Sequence, residues 1–323
     1  MRVSDDVKNC TVFIGECGSR GFVPTATGFV VIKKTGDQYF EYLVTAQHAV
    51  IHGRPLYVRI NKTDGRAGVY ELRSDKWYYH PSADRVVDVA VLPTHLPSDI
   101  FDHIVINLED EIASEEVIKA YDVGVGDELV FPGLFVHHSG QGRNLPVMRA
   151  GTLGAMPDEP VMTASGPMHL YLAEARSIGG QSGSPVFLNM QAPREFRSLT
   201  PKVDISEKPY YLLGLMRSHL RAKDSGEYAT DDPKTEDLWI NSGIATVVPV
   251  QDIVDTVSQP SLEELRMSAI KESRDRSVDM PTSVQLKRDP EPATNPAENP
   301  DHREDFNRLV GAASKPKPKD DRT

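Results

Sequence analysis

Apolar residues along this chain gather in short runs, and glycine, proline, aspartate and serine separate one run from the next. That spacing predicts strands rather than long helices. Thr11-Val12-Phe13-Ile14 and Ala26 to Ile32 are the first two, and after the turn Lys34-Thr35-Gly36-Asp37 a third runs from Tyr39 to Thr45. Leu56 to Ile60 and Val69 to Leu72 alternate apolar with polar positions on either side of Thr63-Asp64-Gly65, the pattern of an antiparallel pair with one face in a core. Glu128 to Phe131, Arg149 to Leu153, Pro185 to Leu188, Tyr210 to Met216 and Gly243 to Val250 continue the series, and Gly124-Val125-Gly126-Asp127 reads as a turn ahead of one of them. Helical signals are few. Ser114 caps a short helix to Tyr121, Pro249 leads into an amphipathic helix carrying Ile253, Val254 and Val257, and Ser261-Leu262-Glu263-Glu264 forms a capping box for a helix to about Glu272.

Three runs carry a polar residue that strand formation does not explain. His48 ends Val44-Thr45-Ala46-Gln47-His48. Asp88 stands alone in Val86-Val87-Asp88-Val89-Ala90-Val91, and a carboxylate buried there requires a hydrogen-bonding partner. Ser182 lies in Gly179-Gly180-Gln181-Ser182-Gly183-Ser184-Pro185, where the glycines permit a sharp turn that gathers main-chain N–H groups beside the hydroxyl. A serine becomes a nucleophile when a base takes its proton and a third group orients that base. His48 and Asp88 are the candidates for those two tasks. Asp84 is a rival to Asp88, but it sits in a polar loop where turn formation uses it.

The order His48, Asp88, Ser182 and the motifs Thr-Ala-x-His, Asp-Val-Ala-Val and Gly-x-Ser-Gly-Ser-Pro resemble the trypsin-like (chymotrypsin-fold) serine peptidases, over roughly Thr11 to Val257. The details look more like the bacterial, disulfide-free members, Deg-type proteases and glutamyl endopeptidases, than like digestive enzymes. The resemblance implies an all-β fold of two antiparallel β-barrels of the chymotrypsin type with a C-terminal helix, to which composition adds a disordered tail. It implies a first barrel over 1–121 with His48 and Asp88 and a second barrel and helix over 122–259 with Ser182; the capping box and composition add a short helix and charged tail over 260–323. The implied activity is peptide-bond hydrolysis through an acyl-enzyme, with the N–H groups of Gly180 and Ser182 as the oxyanion hole. A catalytically silent peptide-binding module on the same fold is the alternative. Arg176, six positions before Ser182, falls where the family places the base of its primary specificity pocket, and Ser177, Arg217 and His219 lie on segments that line it. A guanidinium there would select an acidic residue before the scissile bond. Neutral Gln181 cannot pair with a freed α-amino group, so activation by N-terminal cleavage is not expected.

A formal charge of −11, from 47 acidic against 36 basic residues, argues against a nucleic-acid-binding surface. No run reaches the roughly 20 apolar residues of a membrane span, and Met1 to Asp6 lack the apolar core of a signal peptide. Cys10 and Cys17 are the only cysteines, which points to a reducing, cytoplasmic compartment. Their spacing does not suit a metal, and His48 with His52 lacks a third ligand, so neither a metal nor a cofactor is expected. The expected partner is a protein or peptide substrate; oligomeric state is not legible. From Arg274 to Thr323 prolines and charges dominate and Phe306 is the sole aromatic, the composition of a disordered tail.

Overall fold

Alternation along each strand decides what its two faces bury. In the computed structural model, which describes residues 3–19, 21–51, 54–72, 76–163, 165–175, 179–191, 208–223 and 239–278, the first half of the chain opens with α1 (Asp5–Asn9) and builds one eight-stranded sheet. Its strands are β1 (Thr11–Gly18), β2 (Gly21–Thr35), β3 (Gln38–Thr45), β4 (Leu56–Asn61), β5 (Ala67–Leu72), β6 (Tyr78–Tyr79), β7 (Ala90–Thr94) and β8 (Ile106–Asn107). The path β5-β4-β1-β2-β3-β7-β6 is antiparallel, and β8 adds a parallel pairing to β2. Among the described residues the end strands β5 and β6 do not pair with each other.

The linker helix α2 (Glu115–Ala120) is capped by the Ser114 hydroxyl, which accepts from the Val117 N–H, and it ends at Asp122 in the left-handed region (φ 50°). The second half contains β9 (Glu128–Gly133), β10 (Val147–Ala155), β11 (Val161–Thr163), β12 (Gly166–Met168), β13 (Tyr171–Glu174), β14 (Pro185–Asn189), β15 (Tyr210–Lys223) and β16 (Trp239–Pro249). Six of these close into a barrel in the order β10-β13-β16-β15-β14-β9, and β11 pairs with β12 outside it. The architecture is all-β, as the spacing of apolar runs predicts.

Three apolar layers follow from the alternation. Val30, Leu43, Val58, Ile60 and Leu92 fill the core on one face of the first sheet, and Leu129, Phe131, Leu153, Val186, Leu188 and Val247 fill the barrel interior. Between them Phe29, Val31, Val44, Val89 and Val91 from the sheet meet Val130, Phe187, Leu212, Leu215 and Val248 from the barrel. Runs such as Phe29-Val30-Val31 and Val186-Phe187-Leu188 are apolar without interruption because neighbouring residues enter different layers and both are buried. Each fully buried Val, Leu, Ile or Phe contributes about 1.5–3 kcal/mol, so the shared layer outweighs the polar contacts that cross it.

After β16 come α3 (Val250–Ser258), which buries Ile253 and Val257, and α4 (Pro260–Val278). The expected capping box does not form. The helix begins one residue earlier with Pro260 in its first turn; the Gln259 carbonyl accepts from Leu262 and Glu263, and the Ser261 hydroxyl meets Gln259 Oε1. The helix also continues past Glu272 and through Arg274, the expected start of the tail. Arg266, 1% exposed, donates to Tyr42 Oη and to the Val257 carbonyl, both at 2.8 Å, and pairs with Glu263, which ties α4 to β3 and α3. Residues 192–207, 224–238 and 279–323, which include the inserted and acidic segments and most of the expected tail, lie outside the described residues. No described helix is long and apolar enough to cross a membrane.

Candidate active site

β3 buries Leu43, Val44 and Thr45 and ends at the 3-10 turn Gln47–Ala49, which sets His48 at the sheet edge. Asp88 precedes β7, fixed by buried Val87 and Val89 on either side. The His48 main-chain N–H donates to Asp88 Oδ1 at 2.9 Å, and His48 Nδ1 lies 2.7 Å from Asp88 Oδ2. The Asp88 side chain is 7% exposed and that of His48 43%. Burial alone would push the Asp88 carboxyl up. Hydrogen bonds from the His48 ring and main chain, with the charges of His48 and Arg217, overcome it and hold the group below its ordinary value. An ionised Asp88 assigns the Nδ1 proton to His48, which leaves Nε2 as the acceptor facing Ser182 Oγ at 3.0 Å. The three residues singled out from the sequence therefore meet. Asp84 lies in an exposed bend, its N–H near Ser82 Oγ, and does not join them.

Ser182 is presented by a turn with Gly180 at φ +94° and Gly183 at φ +84°. A Cβ on Gly183 would stand 2.1 Å from the Thr27 carbonyl oxygen and 2.2 Å from Thr45 Oγ1, so the turn presses against the first sheet as only glycine allows. Thr27, wholly buried on β2, receives it. Its hydroxyl donates to the Gly180 carbonyl (2.8 Å) and accepts the Leu134 N–H (2.9 Å); its N–H donates to the Ser182 carbonyl (2.9 Å); its carbonyl accepts from Thr45 Oγ1 (2.7 Å). Sequence reasoning missed Thr27, whose one signal is a hydroxyl in the middle of an apolar strand. Within the turn Gly183 donates to the Met216 carbonyl and Ser184 to that of Gln181. Among the described residues the N–H groups of Gly180 and Ser182 donate to no carbonyl.

Arg217 departs from expectation. Its carbonyl oxygen stands 3.0 Å from Ser182 Oγ, as near as His48 Nε2, so the single hydroxyl proton is shared between two acceptors; its side chain turns to Asp88, with Nε 3.1 Å from Oδ2, rather than into a specificity pocket. The buried carboxylate is the stronger attraction for a guanidinium that is itself 13% exposed. Arg176 and Ser177 lie outside the described residues, as does the His219 side chain, whose backbone pairs with Ala245. Beside His48 and Ser182 opens a cleft of about 250 Å³ lined by Thr25, Ala26, Ala49 and Leu56, with the exposed pair Arg54–Glu16 (3.3 Å) at its rim.

A second cluster joins the segment after β6 to α3. His80, Asp252 and Asp255 bring potential ligand atoms within 4.8 Å of one another, but Arg85 Nη2 stands 2.7 Å from Asp252 Oδ1 and already supplies the positive charge. His137 and His138 are exposed on a 3-10 turn, and His52 lies outside the described residues.

No protein-family model matches the sequence, and no curated protein matches it. Among solved structures, the apo MamO protease domain from Magnetospirillum magneticum is similar at a TM-score of 0.47 and 17% identity, over 79% of this chain and 98% of that one. The inactive form of a serine-to-alanine mutant of Rv3671c from M. tuberculosis H37Rv is similar at 0.40 and 16%, over 78% of this chain and 87% of that one.

Proposed function

We propose that this chain is a serine endopeptidase of the trypsin-like kind with His48, Asp88 and Ser182 as its triad. The observation that carries the reading is the continuous line of contacts from Asp88 Oδ2 through His48 to Ser182 Oγ, at 2.7 and 3.0 Å. His48 Nε2 takes the Ser182 proton as Oγ attacks the scissile carbonyl carbon, then gives it to the leaving amine. Asp88 keeps the ring in the required tautomer and stabilises the imidazolium. The oxygen that becomes negative accepts from the N–H groups of Gly180 and Ser182, a contribution of about 3–4 kcal/mol per donor in comparable sites. Water activated by His48 then cleaves the acyl-enzyme and restores Ser182.

In this reading 1–121 supplies base and carboxylate, 122–259 supplies nucleophile and oxyanion donors, and 260–323 is appended to them. With Arg217 on Asp88, any preference for an acidic residue before the scissile bond rests on Arg176. Cys10 is buried and Cys17 exposed, and neither is in a disulfide; burial pushes both thiols up, which disfavours the nucleophilic thiolate, and two free thiols suit a reducing cytoplasm. A fluorophosphonate probe tests the proposal. An adduct on Ser182, located by peptide mapping and lost in His48→Ala, is the expected result. No adduct on the wild-type protein would leave the silent peptide-binding module in its place.

A further inference from the structure

The same oxygen of Asp88 that meets His48 Nδ1 at 2.7 Å also meets Arg217 Nε at 3.1 Å. The Arg217 Nε–H has no hydrogen-bond partner, so the contact acts through charge and not through a directed bond. Direction comes from the other two nitrogens, with Nη1 donating to Ser218 Oγ at 3.2 Å and Nη2 to Ser165 Oγ at 3.1 Å. The arginine is thus held by β15 and by the turn between β11 and β12, and its charge is aimed at a carboxylate on the facing sheet. We propose that Arg217 is a positioning residue of the triad: it steadies Asp88 from the barrel side and absorbs part of the charge that Asp88 would otherwise direct wholly onto the His48 ring.

This rests on the endopeptidase reading for its catalytic meaning, though not for its electrostatics. Both side chains are nearly buried, where opposite charges about 3 Å apart are weakly screened. Among the described residues the other charged groups near His48 are Glu16 on β1 and Arg54, exposed at the cleft rim and paired with each other. Asp88 and Arg217 are therefore the buried charges beside the His48 ring. A carboxylate facing His48 alone favours the imidazolium strongly. One shared with a guanidinium lets the ring accept the Ser182 proton and release it more readily to the leaving amine.

The experiment follows proton uptake by the His48 imidazole by NMR in the full chain, for wild type, Arg217→Gln and Arg217→Lys. Removing the charge in Arg217→Gln should raise the midpoint by about half a pH unit or more, while Arg217→Lys, which keeps it, should stay near wild type. Arg217→Met, which keeps the aliphatic stem, serves in the same role if the glutamine variant does not fold. The acidic limb of the fluorophosphonate labelling rate should move with the midpoint. A midpoint that is unchanged or lower without the charge overturns the proposal, and a change in KM alone would assign Arg217 to substrate recognition. Because the titration requires no turnover, absence of labelling in the wild type counts against the endopeptidase reading and leaves this test intact.

Discussion

Asp88 and Asp252 are both buried, and each stands beside one arginine and one histidine, yet the order of approach is reversed. At Asp88 the histidine makes the short contact, 2.7 Å, and the arginine follows at 3.1 Å; at Asp252 the arginine is at 2.7 Å and the histidine at 3.8 Å. The acid responses differ accordingly. Asp88 is held below its ordinary value of 3.8, against the effect of burial. For Asp252 burial comes first and the Asp255 charge adds to it, and together they outweigh Arg85 and His80, so the carboxyl is raised. The same residue types give a carboxylate bonded to an imidazole where directed hydrogen bonds keep it charged, and a clasp between segments where a partly exposed guanidinium merely covers it.

The largest effect that sharpens this contrast belongs to the triad. Ser182→Ala, His48→Ala and Asp88→Asn should each lower peptide hydrolysis about a thousandfold or more while thermal unfolding stays near wild type, and the losses should not multiply in combination. Thr27→Val comes next. It strips the shared hydroxyl from Gly180 and Leu134, and we expect turnover to fall about tenfold to a hundredfold and denaturant stability by about 2 kcal/mol, with Thr27→Ser restoring both.

Arg85→Met should leave turnover intact and cost about 1–2 kcal/mol at pH 7, less than a fully buried pair because Arg85 is 39% exposed. The loss should shrink toward pH 4. Asp252, with its folded value raised, contributes stability below its ordinary value of 3.8 that is lost as pH rises through the raised one; without Arg85 that loss deepens. Asp88 has the opposite sign, its stabilisation complete above 3.8 and lost as pH falls through the depressed folded value. Chemical denaturation from pH 3 to 8 separates the two. Asp84→Asn should change neither turnover nor stability measurably; lost turnover there, with Asp88→Asn still active, would exchange the two aspartates' roles.

The meeting of His48, Asp88 and Ser182 was legible because each interrupts a pattern that strand formation alone would leave apolar or unturned. The strand-rich layout was legible from alternation, down to the Ser114 cap and the turn at Gly126. What escaped depends on contacts distant in sequence. Arg217 reads as a pocket residue until Asp88 is seen facing it, and Thr27 shows nothing until Gly180 and Ser182 arrive against it. The docking of α4 escaped for the same reason: Arg266 belongs to the polar pattern by type, yet the Tyr42 hydroxyl and Val257 carbonyl satisfy it in the interior.

His48 and Asp88 rest on one side of the apolar layer around Phe187 and Val31, and Ser182 on the other. The thickness of that layer is therefore a ruler for the distance between His48 Nε2 and Ser182 Oγ. A methylene lost on one side brings the halves together or leaves a gap, and either shifts Nε2 from Oγ before it threatens the fold. We expect neutral drift across this seam to proceed by exchange, a smaller side chain on the sheet answered by a larger one on the barrel. Paired substitutions such as Phe187→Leu with Val31→Ile should retain more activity than Phe187→Leu alone.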